Sequence, residues 1–208
     1  MKKLLILLCL GFTASALVDG QTTSVPSADA PEPSVETLVC IRHAEKPVGG
    51  LGQLTCRGLN RALALPKVLL ARYAAPQFVF APNPTDKVDD DRYYYVRPLA
   101  TIEPTAIRCR LPVNTQFGYR QIKELEEELE KEAYRNATIY IAWEHEYLDH
   151  FAKDMLQTHG GDMTQVPGWP GKDYDTIFLI KITRDKGGES VAFTIDHEGL
   201  NNLSDDCP

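Results

Sequence analysis

The chain has 208 residues, with 22 Lys and Arg against 29 Asp and Glu and a formal net charge of −7. This length suits one domain with a substantial core. The acidic balance excludes a general binder of nucleic acid or anionic membranes, so any anion must be captured by a local basic pocket.

The N-terminus reads as an export signal over residues 1–16. Lys2 and Lys3 precede an apolar run opening at Leu4–Leu10, and Ala14-Ser15-Ala16 offers a small-residue cleavage site between about 16 and 20. Thr13 and Ser15 break the run before it is long enough to span a bilayer, and Cys9 lacks the small residues that precede a lipoprotein cysteine. Loss of the two lysines takes the net charge from −7 to −9. Residues 17–35 read as a flexible linker, small, polar and Pro-rich over QTTSVPSADAPEPSV. A single domain is expected over 36–208, either periplasmic or secreted. Cys40, Cys56, Cys109 and Cys207 remain, and four cysteines in an exported chain allow three pairings. Cys40 also reads as a small buried hydrophobe, and no C-x-x-C metal spacing occurs.

Residues 37–42 (TLVCIR) read as a buried strand, followed by a Gly-rich loop and by Thr55 as N-cap of a helix to about Tyr73. A second strand is expected over 77–81, ending at Pro82. An insertion over 82–96 carries Asp89–Asp91 and Tyr93–Tyr95. A helix then starts at Arg97-Pro98 and runs to about Ile107. A short strand at Arg110–Val113 and an acidic helix from about Tyr119 to Tyr134 come next. Residues 137–143 form the clearest strand, leading into Glu144-His145-Glu146 and a helix that stops at Gly160-Gly161. Strands over 176–182 and 190–195 read as a hairpin across Lys186-Gly187-Gly188. The alternation predicts an α/β three-layer sandwich, with a mostly parallel central sheet flanked by helices. The acid clusters Asp89–Asp91 and Glu124–Glu132 read as solvated faces.

Ligands of such sheets sit at the carboxyl ends of the strands. His43 follows the first strand and His145 the strand 137–143. Arg42 adjoins His43, and Arg97 opens a helix whose free N–H groups favour an anion. Two histidines and two arginines on one rim suit a phosphate, because guanidinium forks match its oxygens.

The stretch Arg42-His43-Ala44-Glu45, with Leu54-Thr55-Cys56-Arg57-Gly58 heading a helix, resembles the opening signature of the histidine phosphatase superfamily, of phosphoglycerate mutase-like fold. Arg97-Pro98-Leu99-Ala100-Thr101-Ile102-Glu103 is similar to that family's second block, and TIYIAWEH, ending at His145, to its last. The blocks keep their order across about 37–182. Three features depart from the pattern: Ala44 stands for a glycine, the 82–96 segment is inserted, and Glu146 follows the second histidine.

The resemblance implies a phosphatase that works through a phosphohistidine on His43 and needs no metal or other cofactor. Arg42, Arg97 and His145 would hold the phosphoryl oxygens. Glu146 is the first candidate for acid and base, and Glu144 the alternative. Strand alternation would turn Glu144 away unless the strand has already ended. Glu45 and Glu103 are expected to pair with arginines or cap structure. The expected partner is a small phosphorylated substrate, with no nucleic acid and no lasting membrane insertion. A second reading of the same residues is a phospho-ligand-binding module with little or no turnover, and a phosphomutase ranks third. The insertion reads either as a lid or wall with tyrosine faces, or as a surface loop.

HEYLDH (145–150) imitates a zinc-protease signature, but its histidines are five residues apart. On a helix that spacing turns them through roughly 500°, leaving them about 140° apart and unable to share a metal. His150, His159 and His197 read as surface or capping residues. Asn136 and Asn202 match the glycosylation pattern.

Overall fold

A computed structural model describes residues 32–208; the expected export signal and most of the expected linker lie outside them. The elements are β1 (Ser34–Arg42), α1 (Cys56–Arg72), β2 (Phe78–Phe80), β3 (Lys87–Val88), β4 (Tyr93–Tyr94), α2 (Arg97–Cys109), α3 (Ile122–Leu129), β5 (Thr138–Trp143), α4 (His145–Thr158), β6 (Thr176–Asp185) and β7 (Gly188–His197). The main sheet has the order β2-β5-β1-β6-β7. β2, β5 and β1 run parallel, and the β6/β7 hairpin is added antiparallel on the far side of β1.

The second half of β1, Leu38–Ile41, is apolar without alternation because both faces of the sheet are covered there. Leu38 and Cys40 belong to a core under α3 and α4 with Ile139, Ile141, Trp143 and Phe151. Val39 and Ile41 face α1 and α2, against Leu65, Leu69, Ile102 and Ala106. The three layers expected from the sequence are present. Among the described residues no helix is long and apolar enough to cross a membrane.

Several expectations need correction. β1 begins at Ser34, because Ser34 and Val35 still pair with Arg184 and Thr183 on the long β6. Glu36 is fully buried there and accepts a 3.0 Å bond from Arg184. No strand forms at Arg110–Val113. Arg110 takes a left-handed conformation to leave α2, and the sheet gains only a single bridge between Phe80 and Asn114. The acidic helix is cut to Ile122–Leu129, after which Lys131 is extended. Tyr134 then seats its ring 4.7 Å from that of Phe78.

The acid clusters are not solvated throughout. Glu126 is buried against Lys123, and Asp89 turns inward to the amide of Gly52. His159 is buried, not at the surface. It lies between the Glu189 carboxylate at 2.6 Å and that of Glu130 at 3.0 Å. His150 and His197 are exposed, as is Glu103.

The start of α1 is fixed against the loop that follows β1. Thr55 caps the helix by accepting from the Gly58 amide, and its own amide donates to the Glu45 carbonyl at 2.9 Å. A Cβ on Gly58 would lie 2.5 Å from that carbonyl oxygen. Gly58→Ala is therefore expected to cost about 1–3 kcal/mol in urea unfolding, since the crowding atom is backbone and cannot rotate away. Retained wild-type stability would contradict that contact.

Behind it, Arg61 is fully buried and holds Glu45 through two bonds of 2.8 and 3.0 Å. Its other side meets Glu198 and, at 3.4 Å, Asp175. Burial holds the Glu198 carboxyl above the usual carboxylate range, against the pull of Arg61. The C-terminal segment is tied over α1 by a Cys56–Cys207 disulfide and by bonds from Asn60 to the carbonyls of Ser204 and Asp206. Cys40 and Cys109 are free, Cys40 buried.

Candidate active site

The parallel register of β1 with β5 ends at Arg42 opposite Trp143, and the His43 amide continues it by donating to the Trp143 carbonyl at 2.9 Å. The residues just past both strand ends, His43 on one and Glu144-His145 on the other, therefore emerge on one rim. β6 runs the opposite way, so its leading loop, residues 170–175, arrives at the same rim. Arg42 Nη1 donates to the carbonyls of Gly171 and Asp173 at 2.9 and 2.8 Å, and its guanidinium lies 4.1 Å from the centre of the Tyr174 ring.

His43 is 2% exposed and its Nδ1 lies 2.8 Å from the Ala44 carbonyl oxygen. A carbonyl can only accept, so Nδ1 carries the proton and Nε2 keeps its lone pair. Burial, then the positive charges of Arg97, Arg42 and Lys46, hold the imidazole well below its ordinary value, against the opposing effect of the Ala44 bond. The ring is thus neutral and nucleophilic at neutral pH.

Arg97 is 4% exposed and opens α2. One turn on, Thr101 donates to the Arg97 carbonyl at 2.8 Å and accepts from the Ala44 amide at 2.9 Å, fastening the start of α2 to the loop that carries His43. Arg97 Nη1 donates to the Gly50 carbonyl at 3.2 Å and faces the Asp89 carboxylate at 3.5 Å. The insertion thus forms a wall of the site. A small ribbon of β3 and β4 presses on the Gly-rich loop, and a Cβ on Gly52 would strike the Tyr94 carbonyl. Its tip turns through Asp89, Asp90 and Asp91, all at positive φ. Tyr95, the residue after the ribbon, is fully buried, with its ring 6.1 Å from that of His43.

The two glutamates differ in placement. β5 ends at Trp143, so Glu144 is not subject to strand alternation. It is the N-cap of α4, accepting from the amides of Glu146 at 2.7 Å and Tyr147 at 3.3 Å, and it contacts His145 Nδ1. Burial pushes the Glu144 carboxyl up, but His145 and the two amides win and leave it below its ordinary value. Its charge reaches Arg42. Glu146 is exposed and lines a cleft of 340 Å³ with Asp149, His150 and Trp169.

Arg42 Nε and Arg97 Nε are buried donors with no hydrogen-bond partner in the protein, and so is the Tyr95 hydroxyl. The sequence singled out Arg42, His43, Arg97 and His145, and the fold gathers them. It did not single out Tyr95 from its run of three tyrosines, nor Tyr174, whose loop reaches the rim only because β6 is antiparallel. Arg61 was missed as well. A charged residue within the apolar pattern of α1, sixteen positions from a glutamate beside the first histidine, was the available signal.

No protein-family model and no curated protein matches the sequence. The structure is similar to several solved ones. One is a candidate phosphohistidine phosphatase, SixA, from Nakamurella multipartitia, with TM-score 0.52 and 16% identity, covering 81% of this chain and 98% of that one. Another is the mycobacterial glucosyl-3-phosphoglycerate phosphatase in complex with inorganic phosphate, with TM-score 0.52 and 13% identity over 77% and 95%. A third is phosphoglycerate mutase from Plasmodium falciparum, with TM-score 0.50 and 12% identity over 77% and 89%. The fold is therefore phosphoglycerate mutase-like.

Proposed function

We propose that the protein is an exported phosphomonoesterase of the histidine phosphatase superfamily that works through a phosphohistidine on His43. The observation that carries this reading is the state of His43: a neutral imidazole, Nδ1 tied to a backbone carbonyl and Nε2 unprotonated, beside two arginines. In the forward step Nε2 forms a bond to phosphorus as the bond to the leaving oxygen breaks, and water later displaces the phosphoryl group from nitrogen. Arg42, Arg97 and His145 hold the equatorial oxygens while charge redistributes.

Glu144, held as a carboxylate by its caps, suits the base that draws a proton from the attacking water. Glu146 is left as the candidate donor to the leaving oxygen. The Cys56–Cys207 disulfide agrees with an oxidising compartment, which supports the exported reading.

The test is hydrolysis of an aryl phosphate by the purified protein in the presence of a chelator. Turnover is expected to be unaffected by the chelator. Because the His43 pKa is lowered, the nucleophilic form prevails above the depressed value, and its loss begins only well below pH 6.5. The rate of phosphoenzyme formation is therefore expected to hold steady as pH falls through 6.5. A loss of half the rate there would assign an ordinary imidazole and contradict the reading.

One observation favours a second reading, a binding module with slow turnover: Glu144, whose charge acts on Arg42, is engaged by two amides and a histidine. A phosphoenzyme that forms but is not discharged would favour it.

A further inference from the structure

We infer that Tyr95 is a further phosphate-binding residue, its hydroxyl donating a hydrogen bond to an oxygen of the transferring phosphoryl group. This rests on the phosphatase reading above and gives the 82–96 insertion a part in the chemistry.

The side chain is fully buried, and although the Arg97 guanidinium approaches its oxygen as a donor, no group in the protein accepts its proton. A phenol hydroxyl taken out of water without a partner is costly, and a stable fold places one there only where something accepts from it. Its surroundings are those of the site. The ring stands edge-on to His43 at 6.1 Å, and the Arg97 guanidinium lies 4.8 Å from its centre. Tyr119 braces it from the side at 5.1 Å. The backbone fixes the position from both directions: the Tyr95 amide donates to the Asp86 carbonyl at 2.8 Å, and the next two amides, of Val96 and Arg97, donate to Gly52.

Two other buried donors lack partners at this place, Arg42 Nε and Arg97 Nε. Three donors of this kind among cationic residues suit an acceptor with several oxygens and a negative charge, and a phosphoryl group has both. Burial raises the Tyr95 pKa, with Arg97 acting against it, and Glu144 and Arg42 also act on the hydroxyl. The phenol thus keeps its proton at every working pH. It is a donor to the phosphoryl oxygens and not the acid that releases the leaving group.

Tyr95→Phe separates this role from packing, since the ring that meets His43, Arg97 and Tyr119 is kept. Loss of one donor to developing charge is expected to lower kcat for an aryl phosphate roughly 10- to 100-fold, with a smaller change in KM. Affinity for vanadate, a mimic of the five-coordinate state, should fall by a similar factor, and the melting temperature should hold or rise as an unpaired buried hydroxyl is removed. A variant whose kcat and vanadate affinity stay within about twofold of wild type overturns the inference. So does one that melts lower and loses phosphate and vanadate in equal measure, which would mark a packing role. If the unaltered protein neither hydrolyses aryl phosphates nor binds vanadate, the underlying phosphatase reading fails instead.

Discussion

Replacement of His43 by alanine is expected to lower kcat for an aryl phosphate by roughly 10⁴- to 10⁶-fold, the scale of losing a covalent nucleophile. No neighbour substitutes for it. His145 sits on the adjacent strand end with its Nδ1 against Glu144, and its Nε2 faces Gly171, where an added Cβ would lie 3.7 Å away. Because His43 is nearly fully buried, His43→Ala also leaves a cavity and an unmatched carbonyl on Ala44. His43→Asn is the companion variant, since its amide N–H can still serve that carbonyl while offering no nucleophile. Both should be inactive, and the asparagine variant should melt close to wild type. Activity surviving in a folded His43→Asn protein would remove His43 from the chemistry.

The largest loss of stability is expected at Arg61. This guanidinium is fully buried and is shared by Glu45, Asp175 and Glu198. Its removal leaves the Glu45 and Asp175 carboxylates and the buried Glu198 carboxyl without their shared cation, and breaking a buried pair of this kind costs about 3–5 kcal/mol. Arg61→Met, which keeps much of the volume, is expected to show that loss in urea unfolding at pH 7. The effect should reach the site as well, because the Glu45 backbone anchors Thr55 and follows His43 by two residues. A loss under about 1 kcal/mol would mean that solvent or neighbouring groups already screen these charges.

Glu45 shows what sequence could and could not say. It was legible as a partner for an arginine, but which one depended on Gly58, whose missing side chain lets α1 close on the loop after β1 and brings Arg61 to it. The strands β1, β5 and β6 were legible because a fully covered sheet writes itself as an unbroken apolar run. The stretch Arg110–Val113 offers only Val113 as a good strand former and carries Pro112, and it lies where the chain must turn out of a helix, so Arg110 spends its conformation on that turn. His159 looked like a surface residue because its partners, Glu130 and Glu189, lie 29 and 30 positions away on other elements. Strand alternation turns Glu144 away only if the strand continues through it; β5 ends at Trp143, the bound expected from the sequence, and Glu144 serves as the N-cap of α4 instead. Arg42, His43, Arg97 and His145 could be found because each adjoins the end or start of a regular element. Tyr95 and Tyr174 could not, since each depends on how a loop folds back.

In the proposed reaction everything turns on a bond from His43 Nε2 to phosphorus. The most direct measurement is to mix the protein with a labelled aryl phosphate, stop the reaction in alkaline denaturant, digest it and map the label. An acid-labile, base-stable phosphoryl group is expected on the peptide that carries His43, absent from His43→Asn. Turnover without such an intermediate, or label on a serine, threonine or carboxylate peptide, would contradict it.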